Sequence, residues 1–101
     1  MNMQKMMKEL QKVQGRMARA QSEMESAVFE AEAGGGAVKL SMNGKYEVQS
    51  VKIAKEAVDP DDVEALEDLV LAAFNQAKSK VDEASQEKMG GLTKGLGLPG
   101  L

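Results

Sequence analysis

The sequence predicts one α+β domain, ordered as a long helix, a three-stranded antiparallel meander and a second long helix. Three observations predict it. A helical heptad seam runs unbroken from Met3 to Ala27, an Asn43-Gly44 hairpin signal separates two alternating strands, and Asp59-Pro60-Asp61-Asp62 opens a second long apolar periodicity. At 101 residues the chain is a single unit whose own core can only be modest. The folded domain is expected over residues 1–89, followed by a glycine- and leucine-rich tail over residues 90–101.

In the first helix Met3, Met6, Leu10, Val13, Met17, Ala20, Met24 and Ala27 alternate steps of three and four, the pattern of a helix packing along another helix. About 25 residues make a helix about 38 Å long, whereas the strands that follow reach only about 20 Å, so much of the seam overhangs its own sheet. Methionine packs adaptably where a surface meets a neighbour. A second copy of the chain is the expected partner, with Met3, Met6, Leu10, Val13, Met17 and Met24 as dimerisation contacts. Gly15 lies on the outer face, away from the seam.

Residues 28–33 can form a first strand, although Ala and Glu are poor strand formers and the helix could run on into it; Gly34-Gly35-Gly36 then forces a break. The glycines do not make a phosphate loop, because no Lys-Ser/Thr pair opening a helix follows them. Instead Val38, Leu40 and Met42 alternate with Lys39, Ser41 and Asn43, as in a half-buried strand. Asn43-Gly44 predicts a two-residue type I′ turn. In the third strand Tyr46 and Val48 share one phase and Val51 and Ile53 the other, which predicts a bulge near Gln49-Ser50. Asp59 then reads as the N-cap of the second helix, with Pro60 at its first position and further acids where the helix dipole is positive. Cap chemistry accounts for these carboxylates without a metal. Val63, Leu66, Leu69, Val70, Ala73, Ala77, Val81 and Ala84 carry its apolar face to about Met89, where Gly90-Gly91 is expected to end it. A mobile tail is expected beyond.

The chain has no cysteine and no histidine, which removes disulfides, the usual zinc sites and the usual imidazole base. No convergent acid–base pair remains, so no enzyme, catalytic residue, metal, cofactor or small-molecule substrate is expected. The N-terminus alternates charged and apolar residues, which predicts neither a signal peptide nor a membrane span, hence a cytoplasmic protein.

The net charge of −3 hides a dipole. Residues 1–22 carry Lys5, Lys8, Lys12, Arg16 and Arg19 against Glu9 alone, whereas residues 56–68 carry seven acids and no base. The five cations fall within a helical sector about 80° wide, on the side opposite the methionine seam. A solvated helix face ordinarily mixes Glu with Lys; this one has nearly a single sign. The three aromatics, Phe29, Tyr46 and Phe74, lie outside the stripe, so stacking on single-stranded bases is excluded as its mode. Phosphate contact with double-stranded DNA, with weak or shape-based sequence preference, is what such a stripe supports. The competing reading is a protein-interaction module binding another cytosolic protein through the seam and the leucine tail.

The order of elements, together with Ala33-Gly34-Gly35-Gly36 before Val38, the Asn43-Gly44 turn, Ile53, Asp59-Pro60-Asp61-Asp62, Leu66-Glu67-Asp68-Leu69-Val70, the Ala73/Asn75/Ala77 run and the glycine-leucine-proline tail, resembles the YbaB/EbfC family of bacterial nucleoid-associated DNA-binding proteins. The resemblance spans nearly the whole chain. It implies a homodimer of α-β-β-β-α subunits with tweezer-like helical arms, binding and compacting DNA in the nucleoid, without catalysis. Because the family's DNA contacts are attributed to its arms, the implied contacts here are Lys5, Lys8, Lys12, Arg16 and Arg19, then Lys78, Lys80 and Lys88 on the second helix.

Overall fold

The structure, a computed structural model, describes the backbone of residues 2–95 and the side chains of residues 2–91. Its elements are α1 (Met3–Ser26), β1 (Val28–Ala33), β2 (Val38–Asn43), β3 (Val48–Ile53), a short 3-10 turn (Lys55–Ala57) and α2 (Val63–Gly95). The strands form one antiparallel sheet in the order β1-β2-β3, the expected meander. Asn2 caps α1, its Oδ1 accepting from the Gln4 amide at 2.9 Å.

Strand alternation places Ala31, Val38, Leu40 and Met42 on one face of the sheet, and α2 lays Ala73, Ala77 and Val81 against them. The helix contributes residues four apart along one stripe, and two of the three are alanines, which let its backbone approach the sheet closely. The seven buried apolar side chains among the described residues make a small core. At the far end of the sheet Gly34 adopts φ 65°, and a Cβ there would stand 2.9 Å from Leu69 Cδ2. The turn therefore needs glycine for its backbone and for its closeness to α2.

The bulge falls where the pattern places it. Ser41 pairs with Ser50 and Met42 with Val48, leaving Gln49 over. This keeps Val48, Val51 and Ile53 on the face of the core.

Three local expectations are corrected. The hairpin is a three-residue loop, with Tyr46 N donating to Asn43 O at 3.1 Å and Asn43 N to Glu47 O at 3.0 Å. Its positive φ, 64°, falls on Tyr46. The Asn43 side chain stabilises this wider loop, Oδ1 accepting from Lys45 N at 2.9 Å and Glu47 N at 3.1 Å while Nδ2 donates to Glu47 Oε1 at 2.8 Å. The N-cap of α2 is Asp62, whose Oδ1 accepts from Ala65 N at 3.3 Å. Asp59 instead closes the preceding turn through its Oδ1 and Asp61 N at 2.9 Å, and Pro60 sits within that turn. Finally, α2 does not stop at Gly90-Gly91 but runs through them to Gly95. A mid-helix glycine costs about 1 kcal/mol without blocking the hydrogen-bond ladder, and the chain meets no proline until Pro99. Residues 96–101 of the expected mobile tail lie outside the described residues.

The molecule measures 73 × 25 × 16 Å with a radius of gyration of 19.9 Å. A compact domain of this length would have a radius of about 13 Å. The excess is the projection of the helices beyond the hairpin end of the sheet, where Lys88 of α2 meets Glu23 of α1. α1 and the last part of α2 thus form an antiparallel helical arm.

Candidate nucleic-acid interface

Lys5, Lys8, Lys12, Arg16 and Arg19 are all exposed along α1. None makes an ion pair among the described residues. From Lys5 to Arg19 the stripe covers about 21 Å of helix axis. The acids of residues 56–68 lie at the start of α2, at the Gly34 end of the sheet, because Leu69 packs on Gly34. The dipole read along the sequence is therefore also a dipole in space, with the cations on the arm and the acids at the opposite end.

The three lysines of α2 divide. Lys78 is exposed and without a hydrogen bond or ion pair among the described residues. Lys80 reaches back to the sheet, Nζ donating to the Glu30 carbonyl at 2.6 Å. Beside it the Glu32 amide donates to Gln76 Oε1 at 2.9 Å, so these two side chains close the free edge of β1. Lys88 Nζ lies 2.9 Å from Glu23 Oε2, the one ion pair among the described residues. The Glu23 carboxyl is held below its ordinary value by the Lys88 hydrogen bond first, then by the Lys88 charge, with a smaller help from Arg19. Lys80 and Lys88 thus act within the chain, one on a strand edge and one on the arm.

A second fastening sits at the arm's root. Tyr46 Oη donates to the Asp82 carboxylate of α2, and this bond, with burial and the Asp82 charge behind it, raises the Tyr46 pKa. Across the same region Met17, Ala20, Met24, Tyr46 and Met89 line a groove of about 380 Å³ between α1, the hairpin and α2.

The seam divides likewise. Met24 is half-buried and packs on its own core, and Val13 is half-buried on the arm, while Met17 faces the groove beside α2. Met3, Met6 and Leu10 remain outward, 76, 43 and 56 % exposed. The periodicity did not reveal a second apolar surface. α2 covers β1 and β2 but leaves Val48, Val51 and Ile53 uncovered, and with Leu71 and Phe74 they line an open apolar trough of about 530 Å³. The only sequence signal for it is that β3 and one flank of α2 are both more apolar than their exposure requires.

Residues 1–96 match the model of the YbaB/EbfC DNA-binding family. The chain belongs to the YbaB/EbfC DNA-binding family. It is a family of nucleoid-associated DNA-binding proteins, not of enzymes. A nucleoid-associated protein of Clostridium novyi is 50 % identical over 101 residues, covering 100 % of this chain and 89 % of its own length. One from Pelotomaculum thermopropionicum is 49 % identical over 100 residues, 99 % of this chain and 95 % of the relative. One from Clostridium perfringens is 52 % identical over 100 residues, 99 % and 89 %. The crystal structure of the uncharacterized protein HP0035 from Helicobacter pylori superposes with a TM-score of 0.74 at 20 % identity, covering 91 % of this chain and 97 % of that one. At that identity the likeness speaks for the fold, and the α-β-β-β-α order is shared. Among the described residues no helix is long and apolar enough to cross a membrane.

Proposed function

We propose that the protein is a homodimer that binds double-stranded DNA through phosphate contacts of the α1 stripe, with weak sequence preference, and acts in the nucleoid. The observation that carries this is the stripe itself: five exposed cations on one flank of a projecting arm, with no ion-pair partner among the described residues. Exposed basic side chains that outnumber the acids of residues 1–22 five to one attract a polyanion, and releasing its counterions supplies the affinity. Lys78 adds to this surface from α2, whereas Lys80 and Lys88 support it by closing the strand edge and bracing the arm.

The dimer contact is best placed on the β3 side. In the antiparallel pairing Lys39 faces Lys52, and Ala54 N donates to Ala37 O at 2.8 Å, so the peptide groups of Val51 and Ile53 point away from β2 to an open edge. The β1 edge is closed by α2; the β3 edge is open and bordered by the apolar trough. A second copy satisfies both at once, and Met3, Met6 and Leu10 extend the contact along the arms.

The test is duplex binding across a salt series. The wild type should show a steep fall of log K with log salt, and Arg16→Glu with Arg19→Glu should weaken binding at least tenfold and flatten the slope by about 0.9 per lost phosphate contact. Binding that ignores salt, or that survives both charge reversals, would refute the assignment.

A further inference from the structure

The face of the sheet turned away from α2 holds a feature that the arm does not explain. β2 and β3 pair Lys39 directly with Lys52, and the next pair along is Ser41 with Ser50. Val38, Leu40 and Met42 point into the core, so Lys39 and Ser41 project to the opposite face, with Ser50 and Lys52 beside them. The two serine hydroxyls lie 2.6 Å apart. Like charges directly across a strand pair destabilise a sheet, and local rules are broken where function requires it. Glu32 is the strand neighbour of Lys39 on β1, yet neither lysine has an ion pair among the described residues. The face is an open depression of about 690 Å³, with Lys39, Lys52 and the two serines on β2 and β3, Glu30 and Glu32 on β1, and Gln76 and Lys80 of α2 at its β1 margin.

We propose that this outer face is a second phosphate-binding surface, in which Lys39 and Lys52, with the Ser41 and Ser50 hydroxyls, hold backbone phosphates of duplex DNA. The proposal rests on the DNA-binding reading above. It gains from the β3-edge dimer: joining two copies there sets Lys39 and Lys52 of each on the four central strands of one continuous sheet. Strands lie about 4.8 Å apart, so the row spans roughly 14 Å, comparable with the ~12 Å width of a major groove. The carboxylates Glu30 and Glu32 line the same depression from β1, beside Ser41 and Lys39, so in the joined sheet they stand at the two outer margins and the excess positive charge lies over the central strands. Duplex DNA then meets the protein at the arm stripe and across the sheet, rather than at the arm alone.

The experiment compares wild type, Lys39→Gln/Lys52→Gln and Arg16→Glu/Arg19→Glu by fluorescence anisotropy on one duplex at several salt concentrations, with mass and thermal midpoint recorded for each. The sheet variant should bind at least tenfold more weakly and with a flatter salt slope, while its mass is unchanged and its midpoint is equal or higher. Wild-type affinity and slope in that variant would overturn the sheet assignment and leave the arm assignment standing. Absence of salt-dependent duplex binding in the wild type would remove the DNA reading, and this proposal with it. A further arm measures inorganic phosphate alone by calorimetry. No binding to the wild type agrees with the proposal; binding to the wild type but not to the sheet variant, while the two bind duplex equally, would show a small-anion site and overturn the duplex assignment.

Discussion

Two glycines of α1 and the hairpin show how differently one residue type is used. A Cβ on Gly44 would stand 1.7 Å from the Met24 carbonyl oxygen, whereas a Cβ on Gly15 meets nothing within 4 Å. Gly44→Ala forces α1 away from the hairpin and should cost about 3 kcal/mol. Gly15→Ala should stabilise by about 1 kcal/mol, the ordinary helix gain. Urea unfolding of both variants checks the pair, and equal effects would contradict the contact. Asn43-Gly44 was legible as a turn, but not that Gly44 is required by the nearness of a helix twenty residues upstream. Glu23 yields a pH prediction. Its pKa is depressed in the fold, so the Lys88 contact contributes fully above the unfolded value and is lost as pH falls through the folded one. The arm brace should therefore loosen only in acid, below the ordinary carboxylate value of 4.5. NMR titration of the Glu23 carboxyl should show the depression in the wild type and its disappearance in Lys88→Met.

At the scale of elements, the two sheet edges have opposite fates. β1 is sealed by Gln76 and Lys80 from α2; β3 is exposed along its whole length, beside Leu71 and Phe74. An open edge with an apolar border is a pairing site. If the proposed dimer forms through this edge, Val51→Glu with Phe74→Glu should leave a monomer at micromolar concentration where the wild type is a dimer, with helix content near that of the wild type; a dimer mass for the variant by sedimentation equilibrium would move the contact elsewhere. The strands, the bulge at Gln49 and the buried phase of β2 were all legible, because side-chain alternation is a local property of the chain. The true N-cap at Asp62 was not, since three neighbouring acids are chemically equivalent until the turn geometry selects one.

For the whole molecule, length governs how the charges act. The 73 Å long axis separates the acids at the start of α2 from the cations of the arm. The Debye length is about 8 Å at physiological salt and about 30 Å at 0.01 M. In the Lys39→Gln/Lys52→Gln background, where the arm stripe alone holds duplex, Asp61→Asn with Glu64→Gln should thus change affinity by less than about twofold at physiological salt, and raise it several-fold at 0.01 M. An effect of equal size at both salts, measured by anisotropy, would mean that the acids lie close to the bound DNA. A net charge of −3 is compatible with binding a polyanion because the two signs occupy opposite ends.

The chain's local patterns by themselves determined the order of elements, the buried phase of β2, the buried Ala73, Ala77 and Val81 of α2 and the nearly single-signed stripe, since each follows from side-chain period and type. Tertiary structure decided what those patterns touch. It enlisted Met24 in the protomer's own core, turned Lys80 and Lys88 into internal braces, and brought Lys39 beside Lys52. Contacts between residues dozens of positions apart depend on strand register and helix placement, and no local period encodes either. The first helix was legible from the start as amphipathic and longer than its sheet; the structure added that the last part of α2 runs beside it and that Lys88 braces it through Glu23.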